Sequence, residues 1–204
     1  MAPIGGILFL CDECRLGPAV APAFVDPLDD CLMHADSSAS EGSQTEPVST
    51  GDEPPEPFLL QTPAGFVPAD QQWLSDHLGR LLEHLPCEVE QVNIRLLDDA
   101  GMSGLHQQWK GIPGPTDVLS WFHSPRGAPI EADLAIGLDV AAREASQRGH
   151  SVRQELLLYI LHGILHGCGF DDLDPEAAEQ MHGEEDRILA LIGVEATYKR
   201  EASE

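Results

Sequence analysis

The 204-residue chain has few aromatic residues, 5%, and few basic ones: 11 Lys and Arg stand against 35 Asp and Glu, for a formal net charge of −24. So few cations exclude a protein that grips nucleic acid over a broad basic surface. Any polyanionic substrate has to meet a local basic patch or a bound cation. The deficit runs the whole length: residues 1–60 hold 11 acidic residues and one Arg, and residues 61–204 hold 24 acidic and 10 basic ones. Long apolar runs are missing too. No window approaches the ~18 consecutive apolar residues of a membrane span, and MAPIGGILFL at the start lacks the basic region and cleavage pattern of a signal peptide. A cytoplasmic location and no membrane partner are therefore expected. The five cysteines (Cys11, Cys14, Cys31, Cys87 and Cys168) are odd in number and scattered, unlike a secreted disulfide framework, so reduced thiols are expected.

What remains is enough for one domain with a real core, since 42% of the residues are hydrophobic. Residues 34–57, HADSSASEGSQTEPVSTGDEPPEP, carry almost no large apolar side chain and cannot bury enough surface to offset chain entropy. Residues 1–57 thus read as an acidic, low-complexity, disordered extension, and residues 58–204 as the folded domain. The C-x-x-C at Cys11 and Cys14 has only Cys31 nearby, too little for a zinc knuckle. Beyond residue 58, helical spacing of Trp73, Leu74, Leu78, Leu81 and Leu82 follows a start signal in which Asp70 is the expected N-cap. Residues 88–99 alternate as a half-buried strand. A short helix is predicted over 101–109, strands over 116–123 and 133–138, and helices over 139–147, 152–167 and 175–192, the last opened by Asp174-Pro175. No internal repeat interrupts this mixed α/β pattern.

The chemistry is concentrated in LHGILHGCGFDD, residues 161–172. On a helix, His162 and His166 are ~40° and ~6 Å apart, so they share a face and can reach one ion. A core helix whose histidines are satisfied by backbone or carboxylate partners carries the same pattern. The residues that follow favour the metal. Gly167 and Gly169 permit a sharp turn, which would bring Asp172 back as a third, oxygen ligand. Two imidazoles and a carboxylate leave a fourth position open, the form of a catalytic zinc site; structural sites are closed. Zinc peptidases place a glutamate base directly after the first histidine, and here that position is Gly163.

HGILHGCGFDD resembles the H-G-x-L-H-x-x-G-Y-D-H signature of the YbeY family, bacterial single-strand metallo-endoribonucleases of ribosomal RNA maturation. NIRLLDD, WKGIPGPTDVLSW and ADLAIGLDVA resemble further family segments in the same order, so the likeness covers about residues 66–195. It implies an α/β (α+β) fold: a small mixed sheet of about four strands packed with several helices, one of them a zincin-like metal helix. It also implies one zinc ion on His162, His166 and Asp172, and a single-stranded RNA substrate cut during 3′ maturation of small-subunit ribosomal RNA and ribosome quality control. The ribosome, ribosomal proteins or a GTPase are the implied partners. Lys110 falls where the family has an arginine and is expected to face phosphate; Arg95 is another matched position, expected either to face phosphate or to pair with an acidic neighbour. Asp172 departs from the family's histidine, and Lys110 lacks the planar fork that grips phosphate in bidentate fashion. Two other readings stay open: a zinc-stabilised, non-catalytic ribosome-associated factor, and a metal-dependent peptidase. Thr116, Asp117 and Ser120 are expected to serve structure, Asp171 to cap a turn, and His123, His182 and Cys168 to stand outside the ligand set.

Overall fold

The computed structural model describes residues 57–195. The expectations for the extension, with Cys11, Cys14 and Cys31, lie outside the described residues. Within them the order is β1 (Phe58–Gln61), α1 (Pro68–Leu82), β2 (Val89–Leu97), α2 (Asp99–Lys110), β3 (Val118–Phe122), β4 (Ile130–Gly137), α3 (Leu138–Arg148), α4 (Val152–Gly167) and α5 (Pro175–Leu191). The strands form one mixed sheet in the order β1-β2-β4-β3. β1 and β4 run parallel to β2, and β3 runs antiparallel to β4. The expected α/β architecture with a four-stranded mixed sheet is therefore what the chain adopts.

Period-two alternation gives the sheet two different faces. Along β2, Val92, Ile94 and Leu96 are buried in the main core, together with Ala132, Leu134 and Ile136 of β4. Helices α1, α4 and α5 cover that side through Leu74, Leu78, Leu81, Met181, Ile188 and Leu189. The opposite face carries Gln91, Asn93 and Arg95, and α2 closes part of it with Met102, Leu105 and Trp109 against Leu119, Trp121 and Ala135. Trp109 and Trp121 meet edge to face, with centroids 5.9 Å apart.

Helix α4 is apolar all round, which is why it lies in the middle. From Glu155 to His166 every residue is buried. Its leucines and isoleucines contribute roughly 1.5–3 kcal/mol each by leaving water, an upper bound for a real denatured chain. Gln154 Oε1 accepts from the Ser151 backbone N–H at 3.0 Å, fixing the entry of the helix. Buried Glu155 is paired with Arg148 Nη1 at 3.0 Å and with His150 Nε2, so its charge is compensated on the α3 side.

Two local expectations change. Val67 is the N-cap of α1 and Pro68 its first residue, so Asp70 sits inside the first turn and pairs with Arg153 Nη1 at 3.4 Å. Cys87 and Cys168 form a disulfide across 81 residues, contrary to the reduced state expected for them. Their separation in sequence hid a neighbourhood that only the packing of the α1–β2 loop beside the end of α4 creates.

Candidate metal centre

The site is built by the end of α4 and the turn after it. Gly163 and Gly167 face the sheet, and their missing side chains set how close the helix comes. A Cβ on Gly163 would lie 3.2 Å from Leu134 Cδ2 and Ser120 Oγ and 3.3 Å from Val118 Cγ2. The position where a zinc peptidase holds its glutamate is thus packed tightly against β3 and β4, and a side chain there would require Leu134, Ser120 and Val118 to give way by a few tenths of an ångström. On Gly167 a Cβ would come within 2.5 Å of Phe122 Cε1 and 2.8 Å of Ile130 Cδ1. Gly167 is the last helical residue and serves this close approach, so the turn falls to Gly169 alone, with φ of 98°.

That turn is a Schellman motif. Phe170 N–H donates to Leu165 O at 3.1 Å and Gly169 N–H to His166 O at 3.0 Å. His166 reinforces it, because its Nδ1 bonds to the Phe170 carbonyl at 2.9 Å. Asp171 then forms the expected turn cap, its Oδ1 accepting from Asp172 N–H at 2.7 Å and Leu173 N–H at 3.2 Å. Asp174 caps α5, accepting from Glu176 N–H at 3.0 Å and Ala177 N–H at 2.9 Å. The chain is held at each step between the second histidine and the next helix.

The result brings His162, His166 and Asp172 together: one donor atom from each lies within 4.8 Å of the other two. His162 Nε2 is 2.8 Å from His166 Nε2 and 4.0 Å from Asp172 Oδ2. The remaining ring nitrogens assign the protons. His166 Nδ1 faces a carbonyl, which only accepts, and His162 Nδ1 is 2.5 Å from Oε1 of the Glu185 carboxylate. Both Nδ1 atoms therefore face acceptors, which leaves the two Nε2 atoms directed at one another. With both rings neutral the two Nε2 lone pairs would repel, whereas a metal ion between them would satisfy both. Two nitrogens on one tetrahedral zinc lie roughly 3.3 Å apart, so the pair is drawn up slightly closer than an ion would hold it.

Electrostatics hold the second imidazole of the pair neutral. Burial pushes His166 down to about 3, helped by the neighbouring His162 charge and opposed by the bond to Phe170 O. Asp117, 4% exposed, is shifted the other way. Burial raises it, against the Thr116 hydroxyl, the Val118 N–H and the charge of His162. The donor set, two imidazoles and a carboxylate with no fourth protein ligand in the group among the described residues, fits an open metal site.

The profile of the family described as Endoribonuclease YbeY matches residues 67–193. This chain belongs to the YbeY family. Endoribonuclease YbeY of Thermobifida fusca is 36% identical over 134 residues, 61% of this chain and 86% of its own length. The YbeY protein of a Synechococcus strain is 34% identical over 142 residues, 65% of this chain and 89% of its own. A solution structure from Thermotoga maritima aligns with 72% of this chain and 99% of its own at 20% identity, with a TM-score of 0.48.

Lys110 and Arg95, the two candidate phosphate-facing cations, lie on different elements of this YbeY-family domain. Lys110 closes α2 and opens the 111–117 loop into β3, the strand that packs on Gly163. Arg95 pairs in register with Ala135, on the sheet face away from α4, and its Nε donates to Gln61 Oε1 at 3.1 Å. It does not face the ligand trio, because alternation in β2 gives the α4 side to Ile94 and Leu96. Asp117 keeps its expected strand-opening role, accepting from Thr116 Oγ1 and Val118 N–H at 2.9 Å each. His123 bonds to Asp133 at 2.9 Å, and His182 is not among the three clustered ligands. Sequence reasoning missed Glu185. Its signal was a charged residue in the apolar stripe Met181, Ile188, Leu189 of α5.

Proposed function

We propose that this endoribonuclease is zinc-dependent and single-strand-specific, and that it acts in the cytoplasm on ribosomal RNA, in 3′ maturation of the small-subunit species and in ribosome quality control. The observation that carries the metal reading is the convergence of His162 Nε2 and His166 Nε2, 2.8 Å apart, with Asp172 Oδ2 4.0 Å from the first. His162, His166 and Asp172 would hold one zinc ion. Bound there, zinc would supply Lewis-acid activation of water and charge neutralisation at phosphorus. Lys110 is the cation assigned to the extra negative charge of the transition state; as a point charge it stabilises without bidentate grip. Gly163 leaves that helix position without the glutamate base of a zinc peptidase, so peptidase chemistry is disfavoured.

The acidity of the chain, −24 overall, implies weak affinity for naked RNA and gives weight to delivery by a ribosome, a ribosomal protein or a GTPase partner. Among the described residues no helix is long and apolar enough to cross a membrane. Cleavage of a single-stranded RNA, measured with and without a chelator and for Lys110→Ala, tests this reading. Chelation should abolish cleavage and zinc should restore it, while Lys110→Ala should lower the rate with metal content unchanged. Cleavage indifferent to chelation would overturn it.

A further inference from the structure

Glu185 sits on α5 where the buried stripe calls for an apolar residue, and it is fully buried. Oε1 meets His162 Nδ1 at 2.5 Å, while its other oxygen, Oε2, is buried with no hydrogen-bond partner among the described residues. A buried carboxylate with a bare oxygen is costly. If its only task were to tie α5 to α4, a glutamine would make the same bond to His162 without burying a charge, and a leucine would fill the space. The fold bears the cost beside one particular atom: the nitrogen opposite the one that points at His166 and Asp172.

We infer that Glu185 is a positioning residue of the metal centre, its carboxylate fixing the His162 proton on Nδ1 so that Nε2 presents its lone pair toward His166 and Asp172. This rests on the reading of those three as metal ligands. A carboxylate acceptor does two things a neutral partner does not. It accepts only, so it admits one tautomer, and its charge makes the opposite nitrogen a better donor. A glutamine can turn its NH2 toward Nδ1 and stabilise the wrong tautomer. His166 is positioned differently, by the Phe170 carbonyl, so the two ligands have unlike supports: one of backbone, set by the Schellman turn, and one of side chain, supplied by another helix. Metal retention therefore depends on the docking of α5 through one charged group.

Zinc affinity of the full chain, measured by competition with a chromogenic chelator, tests this together with the nitrogen shifts of the His162 ring. Glu185→Gln should weaken zinc binding about 10–100-fold while the unfolding midpoint of the metal-free protein stays in place, and Glu185→Asp should recover part of the affinity. In the metal-free wild type, His162 should show a protonated Nδ1 and a bare Nε2; this measurement needs no variant. Equal zinc affinity in wild type and Glu185→Gln would overturn the inference and leave the metal centre standing, as would a wild-type His162 protonated on Nε2. A wild type that binds no zinc would overturn both, and the wild-type titration alone would reveal it.

Discussion

Replacing Gly167 by alanine separates the demand of packing from the preference of the helix. Ala is favoured over Gly inside a helix by about 0.8–1 kcal/mol, so propensity alone makes Gly167→Ala stabilising. The structure argues the reverse. The new methyl would lie 2.5 Å from Phe122 Cε1 and 2.8 Å from Ile130 Cδ1. Phe122 is half-buried and can shift its ring, but Ile130 is 2% exposed and held in the core. Overpacking of this kind costs about 1–3 kcal/mol, which leaves a net loss of about 1 kcal/mol. Gly104 of α2 and Gly183 of α5 are helical glycines whose Cβ would meet nothing within 4 Å. Alanine at either should add up to about 1 kcal/mol, so the contrast with Gly167→Ala is about 2 kcal/mol. Urea midpoints of the three single variants and the parent measure it. If Gly167→Ala gains stability like the two controls, the close approach of α4 to β3 and β4 is refuted. The geometry argued for the histidines on that helix then loses its foundation.

Two further outcomes follow from the same contacts. In metal-free protein the unfolded chain takes up a proton at His166 near pH 6.5, while the folded chain resists until about 3; the stability this group supplies is complete above 6.5 and is lost as pH falls from 6.5 toward 3. Urea midpoints across that window should fall, and more shallowly in His166→Gln; an equal slope in the two would refute the assignment. Removing the disulfide with Cys87→Ser should lower stability by about 2–4 kcal/mol in non-reducing buffer, because the bond closes a loop of 81 residues, and should change nothing once the parent is reduced.

Much of this was legible in the chain itself. The alternating 88–99 segment became β2 (Val89–Leu97), and the apolar 152–167 run became α4 with the same ends, because long periodic segments encode both their type and their burial. His162, His166 and Asp172 were readable as a set since four residues bring two side chains to one face and a glycine turn returns the third. Other features needed the third dimension. FLLQ at 58–61 is too short to show a period, and β1 exists because β2 offers it a parallel edge. Gly167 looked like a turn residue and proved to be a packing one, since nothing local announces Phe122 and Ile130. Arg95 was placed on a strand but not on a face relative to α4. Cys87 and Cys168, and His162 and Glu185, are pairs 81 and 23 residues apart, joined by helix docking that no spacing rule reports.

The central claim is that His162, His166 and Asp172 hold one metal ion, and zinc analysis of the purified protein beside Asp172→Ala tests it most directly. The account predicts one zinc per chain in the parent. It also predicts a loss of affinity in the variant greater than the ~10–100-fold expected when a group supporting a ligand is changed, with the metal-free fold intact. Equal zinc content in the two proteins, or none in the parent, would contradict it.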